Sequence, residues 1–193
     1  SVRIGLVRLL KAARYQAEAF SSADEFYVHW RQNPVPGCLL LDIGMPGTDG
    51  LQLQQWLQTT PHSIPIIFIT GQGDIPSSVT AMKAGAVDFL PKPINVDNLF
   101  KAITGAIRKD VRQRRDQAER ESVLLRFETL TPREREVMAL VVRGMLNKQI
   151  AHELGTSLRT IKTHRGRVME KMKVQSVADL LLASQKLDMA PKP

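Results

Sequence analysis

Apolar residues recur along this chain with two different periods, and the change between them divides it. In the last third the period is helical. Val137, Leu140 and Val141 follow Thr131-Pro132-Arg133-Glu134. There Thr131 can cap, Pro132 sits where its missing N–H costs nothing, and Glu134 can reach back to the cap N–H. A second helix is expected over 147–154, stopped by Gly155 because glycine accepts the left-handed conformation past a helix end. Ser157 can cap a third helix running towards Met172, and a fourth is expected over 176–184. On the third, Leu158, Ile161, Val168 and Met172 share one side and so should face a core. Roughly opposite, at about 100° per residue, lie Arg159, Thr163, Gly166 and Glu170, flanked by Lys162 and Arg167. Two helices across a tight glycine turn, the second with cations and small residues outward, make a helix-turn-helix of the kind a major groove admits.

In the first half the apolar residues come in short runs, the first of them uninterrupted. Cys38-Leu39-Leu40-Leu41 ends at Asp42, the run over 64–70 ends at Thr70, and a third run over 86–90 leads into Pro91-Lys92-Pro93. Such runs suit strands buried on both faces of a parallel sheet. Helical patterns separate them, over 2–13, from Ser22 to about Arg31, over 51–59, over 74–84 and from about Asn95. Ser22-Ala-Asp-Glu25 is a further capping-box pattern. Residues 15–20 alternate and suggest one more short strand, while 44–50 and 71–73 have the glycines of loops. Strands alternating with helices imply right-handed crossovers and a doubly wound sheet. Residues 108–127 lack Gly and Pro and are charge-rich, a helical linker; Val111, Ala118 and Leu125 recur at sevens, so a short coiled-coil seam is also open to it.

Charge sharpens the division. Through Ile107 there are eight Lys/Arg against eight Asp/Glu, which leaves nineteen against eleven beyond it, the whole of the +8. A neutral part joined to a basic part suggests that one binds a polyanion and the other does something else. A basic membrane-surface helix would need an apolar face open to lipid, and that face here is committed to a core. No apolar run approaches the roughly 20 residues of a membrane span and no signal peptide is visible, so the expected location is the cytoplasm. Cys38 is the single cysteine, which excludes an internal disulfide and a thiolate zinc site. The four histidines show no ligand spacing.

Asp42, Thr70 and Lys92 stand at the carboxyl ends of successive strands, the edge where open α/β sheets bind ligands. A carboxylate, a hydroxyl and an ammonium converging there can handle a phosphoryl group, the carboxylate as nucleophile and the other two at the phosphoryl oxygens.

The stretches LDIGMPGTDG, FITGQGD and AMKAGAVDFLPKP resemble the receiver domain of two-component response regulators, and residues 130–184 resemble a LuxR-type output domain. Together they look like the FixJ/NarL class of transcriptional regulators. That resemblance implies a flavodoxin-like receiver over 1–107, a helical linker over 108–128 and an all-α, four-helix DNA-binding domain over 129–193. It makes Asp42 the aspartate phosphorylated by a partner histidine kinase, Thr70 the switch hydroxyl, Lys92 the bridging cation and Phe89 the aromatic switch. It implies a cis Lys92-Pro93 bond. It gives DNA contacts to Lys162 and Thr163, with Arg159, Thr160, Gly166 and Arg167 beside them, and dimer contacts to Val177 and Leu181 on the last helix. The implied partners are double-stranded DNA, the kinase, a second copy on DNA and RNA polymerase; no enzymatic turnover is expected.

Two departures accompany the resemblance. Similar receivers begin with one more strand, ending in an acidic pair that helps hold Mg²⁺. Residues 1–13 contain no Asp or Glu, so the sheet is expected to lack its first strand and the metal site to keep only Asp42 and the backbone carbonyl of Gly44. A fragment of a longer protein is the expected origin; a receiver serving only as an interaction module, with constitutive DNA binding, is the alternative. The second departure is Gly166, where similar proteins often carry a longer side chain. An aspartyl phosphotransferase of the haloacid-dehalogenase type would need a second carboxylate two residues after Asp42, and that position is Gly44.

Overall fold

In the computed structural model, which describes residues 2–44, 50–60, 63–71 and 75–187, the chain forms two compact units, Ser1–Arg114 and Arg115–Pro193. The loops expected at 44–50 and 71–73 fall, apart from their ends, outside the described residues.

The first unit is built on three parallel strands, β1 (Leu39–Asp42), β2 (Ile66–Thr70) and β3 (Asp88–Pro91), in that order across the sheet. All five residues of β2 are buried, as suits a central strand of Ile and Phe ending in Thr70 and covered on both faces. Ile66 and Phe68 face a core with Ala23, Phe26 and Trp30 of α2 (Ala23–Gln32) and Leu53 and Leu57 of α3 (Gly50–Gln58). Ile67 faces the other core, with Leu10 of α1 (Val2–Ala12) and Leu99, Ala102, Ile103 and Ala106 of α5 (Val96–Glu128). Helices thus cover both faces, the doubly wound arrangement the alternating pattern implied. α4 (Ile75–Lys83) adds Ala81 to the first core.

Three local expectations are corrected. Residues 15–20 form no strand. Their side chains reach both cores, Tyr15 stacked on Phe100 at 6.0 Å and Phe20 edge-on to Phe26 at 5.3 Å, but among the described residues β1 pairs only with β2. An extended segment without a ladder to join stays irregular. For the same reason β1 is not buried on both faces: Leu41 is buried, while Cys38, Leu39 and Leu40 are half-buried. At the start of α2, Ser22 accepts the Glu25 N–H at 3.1 Å, yet the Glu25 carboxylate takes the N–H and hydroxyl of Ser21 instead of the cap N–H. Two donors one residue earlier outcompete the single donor of the reciprocal box.

The second unit packs α6 (Pro132–Val142), α7 (Asn147–Glu153), α8 (Leu158–Met172) and α9 (Val177–Lys186) around Val137, Met138, Ile150, Ile161, Val168, Met172 and Leu180, with Val123 from the later part of α5. Thr131 and Glu134 close the full capping box at α6. Gly155 holds φ at 59°, which ends α7 and sets the turn into α8. Leu158 is the exception on the α8 wheel, being 44% exposed. As the first residue of the helix, its side chain leans back past the helix start, where no preceding turn covers it.

Candidate functional site

At the carboxyl edge of the sheet the strand ends bring two of the three expected groups into direct contact. Lys92 Nζ lies 2.5 Å from Asp42 Oδ2, and the Gly44 N–H donates to Asp42 Oδ1 at 3.1 Å. Both carboxylate oxygens are therefore engaged, while each side chain of the pair stays about a third exposed, open to an incoming group. The backbone holds them there: the Lys92 N–H donates to the Thr70 carbonyl at 2.8 Å, extending the β2–β3 ladder, and the Lys92-Pro93 bond is cis. Gly50, at the start of α3, is needed for this packing. A Cβ there would lie 3.1 Å from the Asp42 carbonyl oxygen and 3.2 Å from the Phe68 ring. Thr70 is buried at the same edge, and among the described residues its hydroxyl bonds neither Asp42 nor Lys92. Phe89, in register with Phe68 on β3, is 43% exposed.

Mg²⁺ asks for several oxygens in near-octahedral order. Among the described residues no group of three or more His, Cys, Asp or Glu gathers that could hold a metal ion. Asp42 and the Gly44 carbonyl by themselves do not make such a cage.

The second candidate surface is α8. Arg159, Lys162, Thr163, Gly166 and Arg167 are all exposed, so the structure brings the expected residues onto one open face. Thr160 differs: it is half-buried, and its hydroxyl lies 2.8 Å from that of the cap residue Ser157. Thr163 returns its hydroxyl to the Arg159 carbonyl at 3.1 Å. A Cβ at Gly166 would meet nothing within 4 Å.

What orients α8 was partly missed from sequence. Arg165 Nη1 donates to Asn147 Oδ1 at 2.8 Å, tying α8 to the start of α7. Its place beside the inward stripe, one position from the cationic face, was the available signal. Lys171 Nζ reaches Glu134 Oε2 at 2.6 Å and the Thr129 carbonyl at 3.1 Å, tying α8 to the start of α6. Burial pushes the Glu134 carboxyl up, but hydrogen bonds from Lys171 and from the Thr131 N–H outweigh it and leave the group below the ordinary carboxylate range. On α9, Val177 packs partly against its own core and Leu181 is half-buried, whereas Leu182, not singled out beforehand, is 59% exposed.

Comparison with known proteins matches both parts of the chain to families. Residues 1–104 match the response regulator receiver domain, and residues 128–183 match the bacterial regulatory proteins of the luxR family. The chain is 44% identical to nodulation protein W of Bradyrhizobium diazoefficiens, over 97% of this chain and 82% of the relative. It is 36% identical to the transcriptional regulatory protein FixJ of the same organism, over 98% of this chain and 92% of that one. Among solved structures, the response regulator StyR superposes with a TM-score of 0.79 at 41% identity, over 96% of this chain and 93% of the other. The chain belongs to the two-component response regulators of the FixJ/NarL class, with a receiver domain followed by a LuxR-type DNA-binding domain. It is accordingly a phosphorylation-controlled transcriptional regulator, and DNA and a histidine kinase are the partners its domains imply. Among the described residues no helix is long and apolar enough to cross a membrane.

Proposed function

We propose that Asp42 is the phosphoryl acceptor and that its modification controls DNA binding through the outward face of α8. The observation that carries this reading is the Asp42–Lys92 ion pair at the carboxyl edge of the sheet. A carboxylate oxygen of Asp42 attacks phosphorus, the bond from phosphorus to the donor breaks, and an acyl phosphate forms. The added charge competes for the Lys92 ammonium, which is then free to follow the phosphoryl oxygens. Thr70 and Phe89 are the switch residues of this reading, the buried hydroxyl moving towards the phosphoryl group and the exposed ring towards the core. On α8, Lys162 and Thr163 make base or phosphate contacts, flanked by Arg159, Gly166 and Arg167, with Thr160 a phosphate contact at the helix start. The receiver spans 1–107, the linker 108–128 and the DNA-binding domain 129–193, and two copies bind together through α9. RNA polymerase is the further partner of a regulator so built, and the cytoplasm its location.

A second reading keeps DNA binding and makes it constitutive. Incubation with acetyl phosphate, with and without Mg²⁺, separates the two. Intact-mass measurement should show one added phosphoryl group that Asp42→Asn abolishes, with a matching change in affinity for DNA. No mass gain under either condition leaves the constitutive reading. In both, Lys162→Ala should weaken DNA binding across sequences and reduce the salt slope by about one.

A further inference from the structure

Past Ile107 the apolar anchoring of α5 to the first unit runs out. Leu99, Ala102, Ile103 and Ala106 are buried, and Ile107 packs partly against the same core. Over 108–114 the single apolar side chain is Val111, and it is 58% exposed. The one buried residue of that stretch is a carboxylate, Asp110, 1% exposed.

Asp110 Oδ2 accepts the Gly37 N–H at 3.0 Å and the Arg114 Nε–H at 2.8 Å. Arg114 Nη2 donates to the Val35 carbonyl at 2.9 Å, and its guanidinium lies 5.9 Å from the centre of the buried Trp30 ring. Among the described residues no donor reaches Asp110 Oδ1, although protein covers it. The half-buried Cys38 thiol is pushed up to about 11, by burial first and by the Asp110 charge second. The phosphoryl site uses none of this. The cluster stands where the chain enters β1, and Asp42 is where it leaves.

A leucine at 110 would hold this turn by burial. An ion pair instead fixes geometry while adding little net stability, because the cost of desolvating both charges offsets their attraction. A buried carboxylate with an unpaired oxygen also gains hydration when the turn lifts away, which lowers the cost of opening. We infer that Asp110 and Arg114 form a releasable latch that holds residues 108–114 of α5 to the 35–37 loop, so that an ion pair, not the apolar core, sets how much of this helix is docked. The device goes beyond the phosphoryl and DNA assignments and does not depend on either.

Hydrogen exchange on the full chain tests it. In Asp110→Ala, the amides of 108–114 and of Gly37 should exchange on the order of a hundredfold faster, while 99–106 and β2 keep their protection. Arg114→Met removes the pair but leaves the acceptor for Gly37, so 108–114 should open and Gly37 stay protected. Unchanged exchange over 108–114 in both variants overturns the latch, since something else then holds the turn. Loss spreading through 99–106, or a variant that does not fold, also overturns it, because the pair is then a pillar of the core.

Discussion

Glu134 does two jobs with one carboxylate. It completes the capping box of α6 by accepting the Thr131 N–H at 2.9 Å, and it anchors Lys171 of α8 at 2.6 Å. Its side chain is buried while that of Lys171 is a third exposed, so the pair is asymmetric: losing the carboxylate leaves a cation that can still reach water. Glu134→Gln is therefore expected to destabilise the second unit by about 1–3 kcal/mol, less than the loss of a fully buried pair. Because the folded group titrates below its ordinary value of 4.5, its contribution is complete above that pH and is lost as the pH falls through the lower, folded value. Thermal unfolding followed by circular dichroism from neutral pH downwards should show wild type and Glu134→Gln converging below about pH 4.5. A gap that persists into strong acid would mean that the charge is not what Glu134 contributes.

Among the elements, α8 was the most legible from sequence and β1 the least. The caps at Thr131 and Ser157, the Gly155 stop and the spacing of Ile161, Val168 and Met172 are local features, set by bonds within a few residues, and all are formed. The half-burial of β1 and the irregular course of 15–20 depend on which strands stand alongside, not on the local residue pattern. Leu158 failed at a helix end, where the wheel argument loses the turn it assumes. Asp110 escaped notice because a buried carboxylate looks, in a charge-rich stretch, like one more solvated residue. The edge chemistry of Asp42 and Lys92 was legible in part, as strand-end placement, but their direct contact was not. Gly166 offers a test at this scale. It lies mid-helix with open space around the position of a Cβ, so Gly166→Ala relieves a backbone entropy cost and meets no clash. Urea denaturation should show a gain of about 0.5–1 kcal/mol; a loss would mean the α8 backbone at 166 is not an ordinary helical one.

For the whole molecule, two facts bear on the proposal: all the net positive charge lies beyond Ile107, and α8 and α9 belong to the same unit. A chain that binds DNA as a two-fold dimer reads half-sites about one helical turn apart, roughly 34–36 Å. If this chain pairs as proposed, the contact must come from a surface the monomer leaves open. On α9 that surface is Leu182 with half-buried Leu181, while Val177 is partly committed to its own core. Leu182→Glu changes a side chain that is 59% exposed, so the fold should keep its stability within about 0.5 kcal/mol. Like charges brought together across a two-fold axis should nevertheless oppose pairing. Binding to a duplex with two half-sites should fall to that for a single half-site, with the single-site affinity and its salt dependence unchanged apart from one added negative charge. Gel-shift titration on the two duplexes separates the outcomes. Equal cooperativity in wild type and variant would move the dimer contact away from α9, and a loss on the single half-site would mean that Leu182 supports the fold of the DNA-binding unit itself.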